Sequence, residues 1–157
     1  MAQVQMKKRL AVEEYTTPSP IVVETDSSLA QVAELMEEYG IRHVPVIKNG
    51  KPVGVISDRD LKVVANFEDM KRFTAEDIMS TDPYMVSSDT SLEEVVLQMS
   101  QNKMGSALVV YPEDLSLGIF TSTDALNALV ELLRSRDEAI ATERIFIKQE
   151  SFRGGYG

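Results

Sequence analysis

The chain contains no cysteine, which removes disulfides, thiolate catalysis and cysteine-based zinc sites at once. A single histidine, His43, leaves no basis for a histidine-rich metal centre. Basic residues are in the minority, 16 Lys+Arg against 25 Asp+Glu, for a formal net charge of −9. A general nucleic-acid binder needs a basic face, so that class is disfavoured, although a small anion in a locally basic pocket is not. No apolar run approaches the roughly 20 residues of a membrane-spanning helix. The polar start, Met1 to Leu10 with Lys7-Lys8-Arg9, lacks the apolar stretch of a signal peptide. Paired histidines and a phosphate-cradling glycine loop are also missing. These absences lead to the expectation of a soluble cytoplasmic protein that is not an enzyme and has neither nucleic acid nor membrane as partner. With 157 residues at 43% hydrophobic content, it can build one compact core or two small halves that share one.

What is present centres on Gly54-Val55-Ile56-Ser57-Asp58-Arg59-Asp60. Two β-branched residues suit a short buried strand. Ser57 or Asp58 can cap the helix that follows by accepting amide hydrogens of its first turn. Gly54 is read as freeing the backbone where the strand starts. Asp60 then places a carboxylate near the helix N-terminus. The stretch has an echo in Gly118-Ile119-Phe120-Thr121-Ser122-Thr123-Asp124.

In chain order, Met1 to Glu14 reads as a short amphipathic helix, and Thr16 to Pro20 as an extended or turn segment shaped by its prolines. Ile21 to Val23 is a predicted strand. A helix from Leu29 to about Tyr39 is capped within Asp26-Ser27-Ser28 and stopped by Gly40. Val44 to Ile47 and Pro52 to Ile56 form a hairpin about Asn49-Gly50. Asp60 to about Asn66 is a second helix, Phe67 to Phe73 a linker, and Thr74 caps a short turn up to Met79. Then the pattern restarts. Glu13, Pro20, Val23, Asp26, Ser28, Leu29, Val32, Met36 and Val46 recur as Glu76, Pro83, Val86, Asp89, Ser91, Leu92, Val95, Met99 and Val109, all at one offset (89 − 26 = 63). After the second hairpin the offset is 124 − 60 = 64, which requires one extra residue in the loop Tyr111 to Leu117. Amphipathic patterning alone does not reproduce shared Pro, Gly and Asp positions, so the chain reads as a tandem duplication of a strand-helix-strand-strand-helix unit. The last helix runs from about Ser122 through the charged run Glu131 to Arg144. Ile145-Phe146-Ile147 is apolar, and Arg153 to Gly157 reads as a mobile tail.

The two units resemble a tandem pair of cystathionine-β-synthase (CBS) domains. The resemblance rests on Thr17 to Val23, Asp26 to Leu29, Gly40 to Val46 and Gly54 to Asp60, and in the second unit on Ile78 to Pro83, Asp89 to Leu92 and Gly118 to Asp124. It implies an α+β fold of β-α-β-β-α repeats, packed sheet to sheet with pseudo-twofold symmetry. The corresponding division is 12–66 and 75–132 for the two units, 67–74 for the linker, and 133–157 for a helical extension and tail. It further implies clefts for adenosyl ligands (AMP, ADP, ATP or S-adenosylmethionine), a homodimer, and regulation of an effector protein. No cofactor is required on this reading.

Carried over residue by residue, the resemblance makes Asp60 and Asp124 ribose-binding carboxylates, each able to accept two hydroxyl hydrogen bonds. Ser57 and Thr121 become contacts to ribose or phosphate, Arg59 and Thr123 phosphate-side positions, and Arg42 and His43 phosphate-binding cations. Ser80, Met85 and Met104 serve the cleft of Asp60; Thr17, Val22 and Ile41 serve that of Asp124. The Asp60 cleft thus gathers three potential cations. The matching positions of the other, Gly105, Ser106 and Thr123, are neutral, which puts tight phosphate binding there in question.

Blander readings stand beside these. Asp60 and Asp124 are equally helix-start carboxylates favoured by the helix dipole. His43 can be a partly buried strand residue, Arg42 and Arg59 solvated surface charges, and the methionines core or interface fillers. At the level of function, a regulatory adenosyl-binding module is favoured over a dimerisation or adaptor module with no bound nucleotide.

Overall fold

The structure, a computed structural model, describes residues 9–64 and 66–153, with side chains as far as Lys148. The expected N-terminal helix therefore lies largely outside the described residues, as do Ala65 and tail residues Gly154 to Gly157. The chain divides into two compact units, Met1–Ser122 and Thr123–Gly157.

Local sequence accounts for most elements of the first unit. A 3-10 turn, Val12–Tyr15, stands where the end of an amphipathic helix was expected. Helix α1, Leu29–Tyr39, keeps its predicted bounds. The Ser28 hydroxyl accepts the Gln31 amide at 3.2 Å and the Gln31 side chain accepts the Ser28 amide at 3.0 Å, a reciprocal cap of its first turn. Gly40 ends it at φ 63°, the left-handed conformation that favours glycine. Its buried face, Leu29, Val32 and Met36, packs with Val44, Val46 and Ile56 of the hairpin β3 (His43–Lys48) and β4 (Lys51–Ser57). Asn49 and Gly50, both at positive φ, make the hairpin turn.

The segment after the hairpin differs from expectation. Helix α2 covers only Asp58–Leu61, and Phe67–Arg72, read as linker, forms helix α3. Leu61 is buried and Val64 packs on the core, but Val63 between them is 80% exposed. Consecutive β-branched residues weaken helix continuation there. Asn66 then caps a new helix by accepting the Asp69 amide at 2.9 Å, with acidic residues in its first turn and Lys71 and Arg72 in its last, both complementing the dipole. Helix α4 (Ala75–Ile78) follows Thr74 as expected.

The sheets show what the repeat does in space. Strand β1 (Thr17–Pro18) lies in the segment read as extended or turn, and β2 covers Val23–Glu24 rather than Ile21 to Val23. Strands β5 (Ser80–Thr81) and β6 (Met85–Ser87) are their counterparts in the second repeat, followed by helix α5 (Leu92–Gln101), β7 (Ser106–Val110) and β8 (Leu117–Thr121). One sheet has the order β2-β3-β4-β5 and the other β1-β8-β7-β6. Each repeat therefore lends its first strand to the other's sheet. Thr17 pairs with Ile119 and Pro18 with Gly118; Ser80 pairs with Val55 and Thr81 with Gly54. The exchange extends upstream of the strands. The Val12 amide donates to Thr90 O and the Ala75 amide to Ser27 O, both at 2.8 Å. Ala11 bridges to Ser91 and Thr74 to Ser28. Each of these backbone contacts has its mate about 63 residues away, so the α+β fold is a symmetrical interlock of two halves.

Gly54 and Gly118 sit where the lent strands cross. Neither has positive φ, so backbone freedom is not their role. A Cβ on Gly54 would stand 2.6 Å from Met79 Sδ and 2.7 Å from Ser80 O; one on Gly118 would stand 2.5 Å from Thr16 Cγ2. Glycine is needed because another segment passes over it. Gly54→Ala should cost about 1–3 kcal/mol, the usual range for overpacking, read as a lower denaturant midpoint at unchanged slope.

The second unit is built on helix α6, Ser122–Arg153, which continues past the repeat as the sequence predicted. Leu126, Leu129, Val130, Leu132 and Leu133 on it are each more than 40% exposed, as are Ile145, Phe146 and Ile147.

Candidate functional site

The site forms where β4 runs out. Ser57 ends the strand and caps α2. Its hydroxyl accepts the Asp60 amide at 3.3 Å, and Asp60 Oδ2 accepts the Ser57 amide at 2.8 Å. The motif's last carboxylate is thus a structural cap, as the blander reading had it. A carboxylate offers about four lone-pair positions, so this one hydrogen bond does not exhaust it. The Asp58 amide donates to Arg42 O at 2.8 Å, tying the helix start to the entrance of β3. His43 pairs with Ser57 across the hairpin. Pairing of Ser80 with Val55 brings the second repeat's lent strand beside the same strand end.

Ser57, Asp60, Arg42, His43 and Arg59 therefore meet in one place, with Ser80 on the neighbouring strand. Arg42 and Arg59 are exposed, while Asp60 is half-buried. Met104 adjoins the group through Gly105, whose absent side chain leaves room for the His43 ring: a Cβ there would lie 2.8 Å from Nε2. Met85 is on β6, the edge of the other sheet, and is 42% exposed; Val22, its repeat mate, is 43% exposed.

At the repeat-related location Thr121 ends β8 and pairs with Ser106. The Ser122 amide donates to Gly105 O at 3.0 Å, the mate of the Asp58 to Arg42 bond. Thr17 on β1 pairs with Ile119 of β8, and Ile41 follows the helix stop, its amide donating to Met36 O. Thr123 and Asp124 stand in the first turn of α6, in the second unit. Their grouping with Thr17, Val22 and Ile41 stays with the family resemblance.

Two participants were missed from sequence. Asp58 is one of the charges acting on His43. Gly105 supplies the seat of its ring. The available signal was the bare glycine at the position where the first repeat carries Arg42.

The electrostatics of the site centre on His43. His43 does not keep an ordinary imidazole pKa near 6.5: burial pushes it down. Asp58 and Asp60 pull upward against that, and Arg42 and Arg59 push down with it. At neutral pH the site has two arginines rather than three cations, balanced by two carboxylates. Among the described residues no cluster of His, Asp and Glu could hold a metal ion, and no helix is long and apolar enough to cross a membrane.

The sign of the resulting pH effect follows. Well above pH 6.5 the ring is neutral in the folded and the unfolded chain, and adds nothing to the pH dependence. Below it the unfolded chain takes up a proton that the folded chain resists, so stability falls with pH and levels off once the folded pKa is crossed. Denaturant unfolding from about pH 8 to about pH 5 should show this acid limb in the wild type and its reduction in His43→Gln.

Comparison with known proteins agrees with this geometry. The sequence profile of the CBS domain family matches residues 12–65 and 75–131. Inosine-5'-monophosphate dehydrogenase of Methanocaldococcus jannaschii is 32% identical over 125 residues, covering 79% of this chain but 24% of the dehydrogenase. That of Korarchaeum cryptofilum is 28% identical, over 87% of this chain and 28% of its own. The chain thus spans about a quarter of the length of these relatives. Among solved structures, an acetoin utilization protein (AcuB) of Vibrio cholerae superposes with a TM-score of 0.71 at 30% identity, covering 83% of this chain and 97% of that one. CBSX2 in complex with AMP gives a TM-score of 0.67 at 26% identity, over 78% and 98% of the two chains. The CBS domain of a bacterial CNNM/CorC family Mg2+ transporter in complex with ATP gives 0.69 at 26%, over 77% and 87%. With two matched repeats, two interlocked sheets and neighbours that are themselves CBS pairs, the chain belongs to the CBS domain family, as a tandem pair.

Proposed function

We propose that the chain is a regulatory module that binds an adenine nucleotide at the Asp60 site and passes its occupancy to an effector protein. The observation that carries this reading is the convergence of Asp60, Ser57, Arg42, Arg59 and His43 at one strand end, beside the second repeat's Ser80. Ribose hydroxyls donate to the free lone pairs of Asp60, phosphates meet Arg42 and Arg59, and the apolar surface of Met85 and Met104 receives the adenine. Support comes from two relatives of the same fold, solved with AMP and with ATP. Because the cations here are balanced by carboxylates, the phosphates contribute moderately and the ribose contacts dominate. Thr121, Thr17, Val22 and Ile41 mark the corresponding second site, which lacks arginine and suits an adenosyl ligand of lower charge, such as S-adenosylmethionine.

The output follows from the interlock. A ligand that touches groups from both repeats favours one packing of them over another, by no more than its difference in affinity for the two. The module acts as an energy or metabolite sensor through that shift. It works as a homodimer that covers the apolar residues Leu126, Leu129, Val130, Leu132 and Leu133 of α6, which are exposed in the single chain.

Calorimetry with ATP, ADP, AMP and adenosine tests the site. Asp60→Ala should weaken all four by on the order of 2 kcal/mol, while Arg59→Ala should weaken ATP more than adenosine. Unchanged affinity in Asp60→Ala would remove the site, and absence of thermal stabilisation by every adenosyl ligand would leave a dimerisation or adaptor module. Light scattering tests the assembly. The mass should be twice the chain's 17.5 kDa and should halve in Leu129→Glu/Leu133→Glu.

A further inference from the structure

The contact between His43 and Gly105 joins the repeats at the Asp60 site and has no equivalent in the sequence of the other half. The three atoms nearest a Cβ on Gly105 all belong to the His43 ring: Nε2 at 2.8 Å, Cε1 at 3.5 Å and Cδ2 at 3.8 Å. Gly105 has no positive φ, so its backbone suits any residue, and the space above it is what glycine keeps open. The repeat mates of this pair are Ser106 and Arg42, so ring and seat occur once in the chain. Gly105 itself is held by the start of the last helix, its carbonyl accepting both the amide and the hydroxyl of Ser122, at 3.0 and 3.2 Å. The seat is therefore anchored, and a side chain there would move the ring rather than the strand.

We propose that Gly105 is a positioning residue of the Asp60 site: its missing side chain seats the His43 ring against the second repeat, which fixes where the site's one imidazole stands. The charges acting on that ring come from its own side of the seam, Asp58, Asp60 and Arg59 on α2 and Arg42 ahead of β3. From the second repeat the ring meets Gly105, with neutral Ser106 next in sequence; the exposed Lys103 nearby is not among the charges that act on it. Seated, the ring is kept from water and stays neutral. Unseated, it recovers water and takes a proton at higher pH, in reach of the same carboxylates. A residue in one repeat thereby sets the charge of a site built mainly on the other. The nucleotide consequence rests on the function proposed above; the seating does not.

The chain has one histidine, so its ring resonance in NMR is unambiguous. In the ligand-free protein His43 should titrate below 6.5, and in Gly105→Ala its midpoint should move up toward 6.5. A midpoint that stays put in a folded Gly105→Ala protein overturns the inference. If that variant folds poorly, a double-mutant cycle decides. The loss of melting temperature from Gly105→Ala should shrink by about half or more in a His43→Ala background, and an equal loss in both backgrounds overturns the seating. For nucleotide, the ratio of ATP to adenosine affinity should rise on acidification through the His43 midpoint, and in Gly105→Ala that rise should move to higher pH with the midpoint. No nucleotide binding at any pH, alongside a shifted midpoint, would overturn the nucleotide reading and leave the seating supported.

Discussion

The structure depends on a crossing. Each repeat sends its first strand over a glycine of the other repeat's hairpin, and the hydrogen bonds made there close one edge of each sheet. A bare strand edge is a row of unpaired amides and carbonyls that invites foreign pairing. Here β5 covers β4 and β1 covers β8, so the hairpins that carry the functional motifs are shielded by the opposite half. The two-residue strands contribute little burial of their own, since Thr17, Pro18, Ser80 and Thr81 are exposed. Their value is positional: they carry Ser80 to the strand end where Ser57 and Asp60 stand. Fold closure and site assembly are one event.

Within the site, the same groups serve two masters. The Asp60 carboxylate holds the Ser57 amide and completes the first turn of a helix only four residues long. Helices that short have almost no stability of their own, so the cap is part of what keeps α2 in place. On the function proposed above, a ligand hydroxyl at Asp60 would meet an oxygen pair already oriented. Preorganisation of this kind lowers the cost of ordering on binding. The balance of two arginines and two aspartates around a neutral ring works in the same direction, because it keeps the site from repelling its own members.

Much of this was legible in the sequence, for identifiable reasons. The repeat was readable because residues with strict backbone or capping roles recur in register: Pro20 and Asp26 as Pro83 and Asp89 at one offset, and Gly54 and Asp60 as Gly118 and Asp124 one residue later. Helix α1 was readable because Ser28, the apolar spacing and Gly40 all act within one element. Strands β1 and β5 were not, since two residues carry no periodicity and their partners lie about 100 residues away for Thr17 and about 25 for Ser80. The reason for Gly54 was hidden for the same cause: a close approach is a property of two segments, and one was unknown. Of the site, Arg42, Arg59 and Asp60 could be named through the family resemblance. The depressed basicity of His43 could not, because it arises from burial of the ring in the fold, where Gly105 of the other repeat lies against it.

A true dimer of identical repeats shows every contact twice, residue i to j and j to i. Ring-on-glycine packing at such an axis would demand both the histidine and the glycine in each copy, and so would forfeit Arg42 from both. Tandem duplication within one chain lifts that demand. One copy keeps arginine and imidazole, the other keeps the hollow, and the interlock survives because backbone pairing does not ask which side chains it carries. Redundancy in the scaffold thus becomes division of labour at its seam.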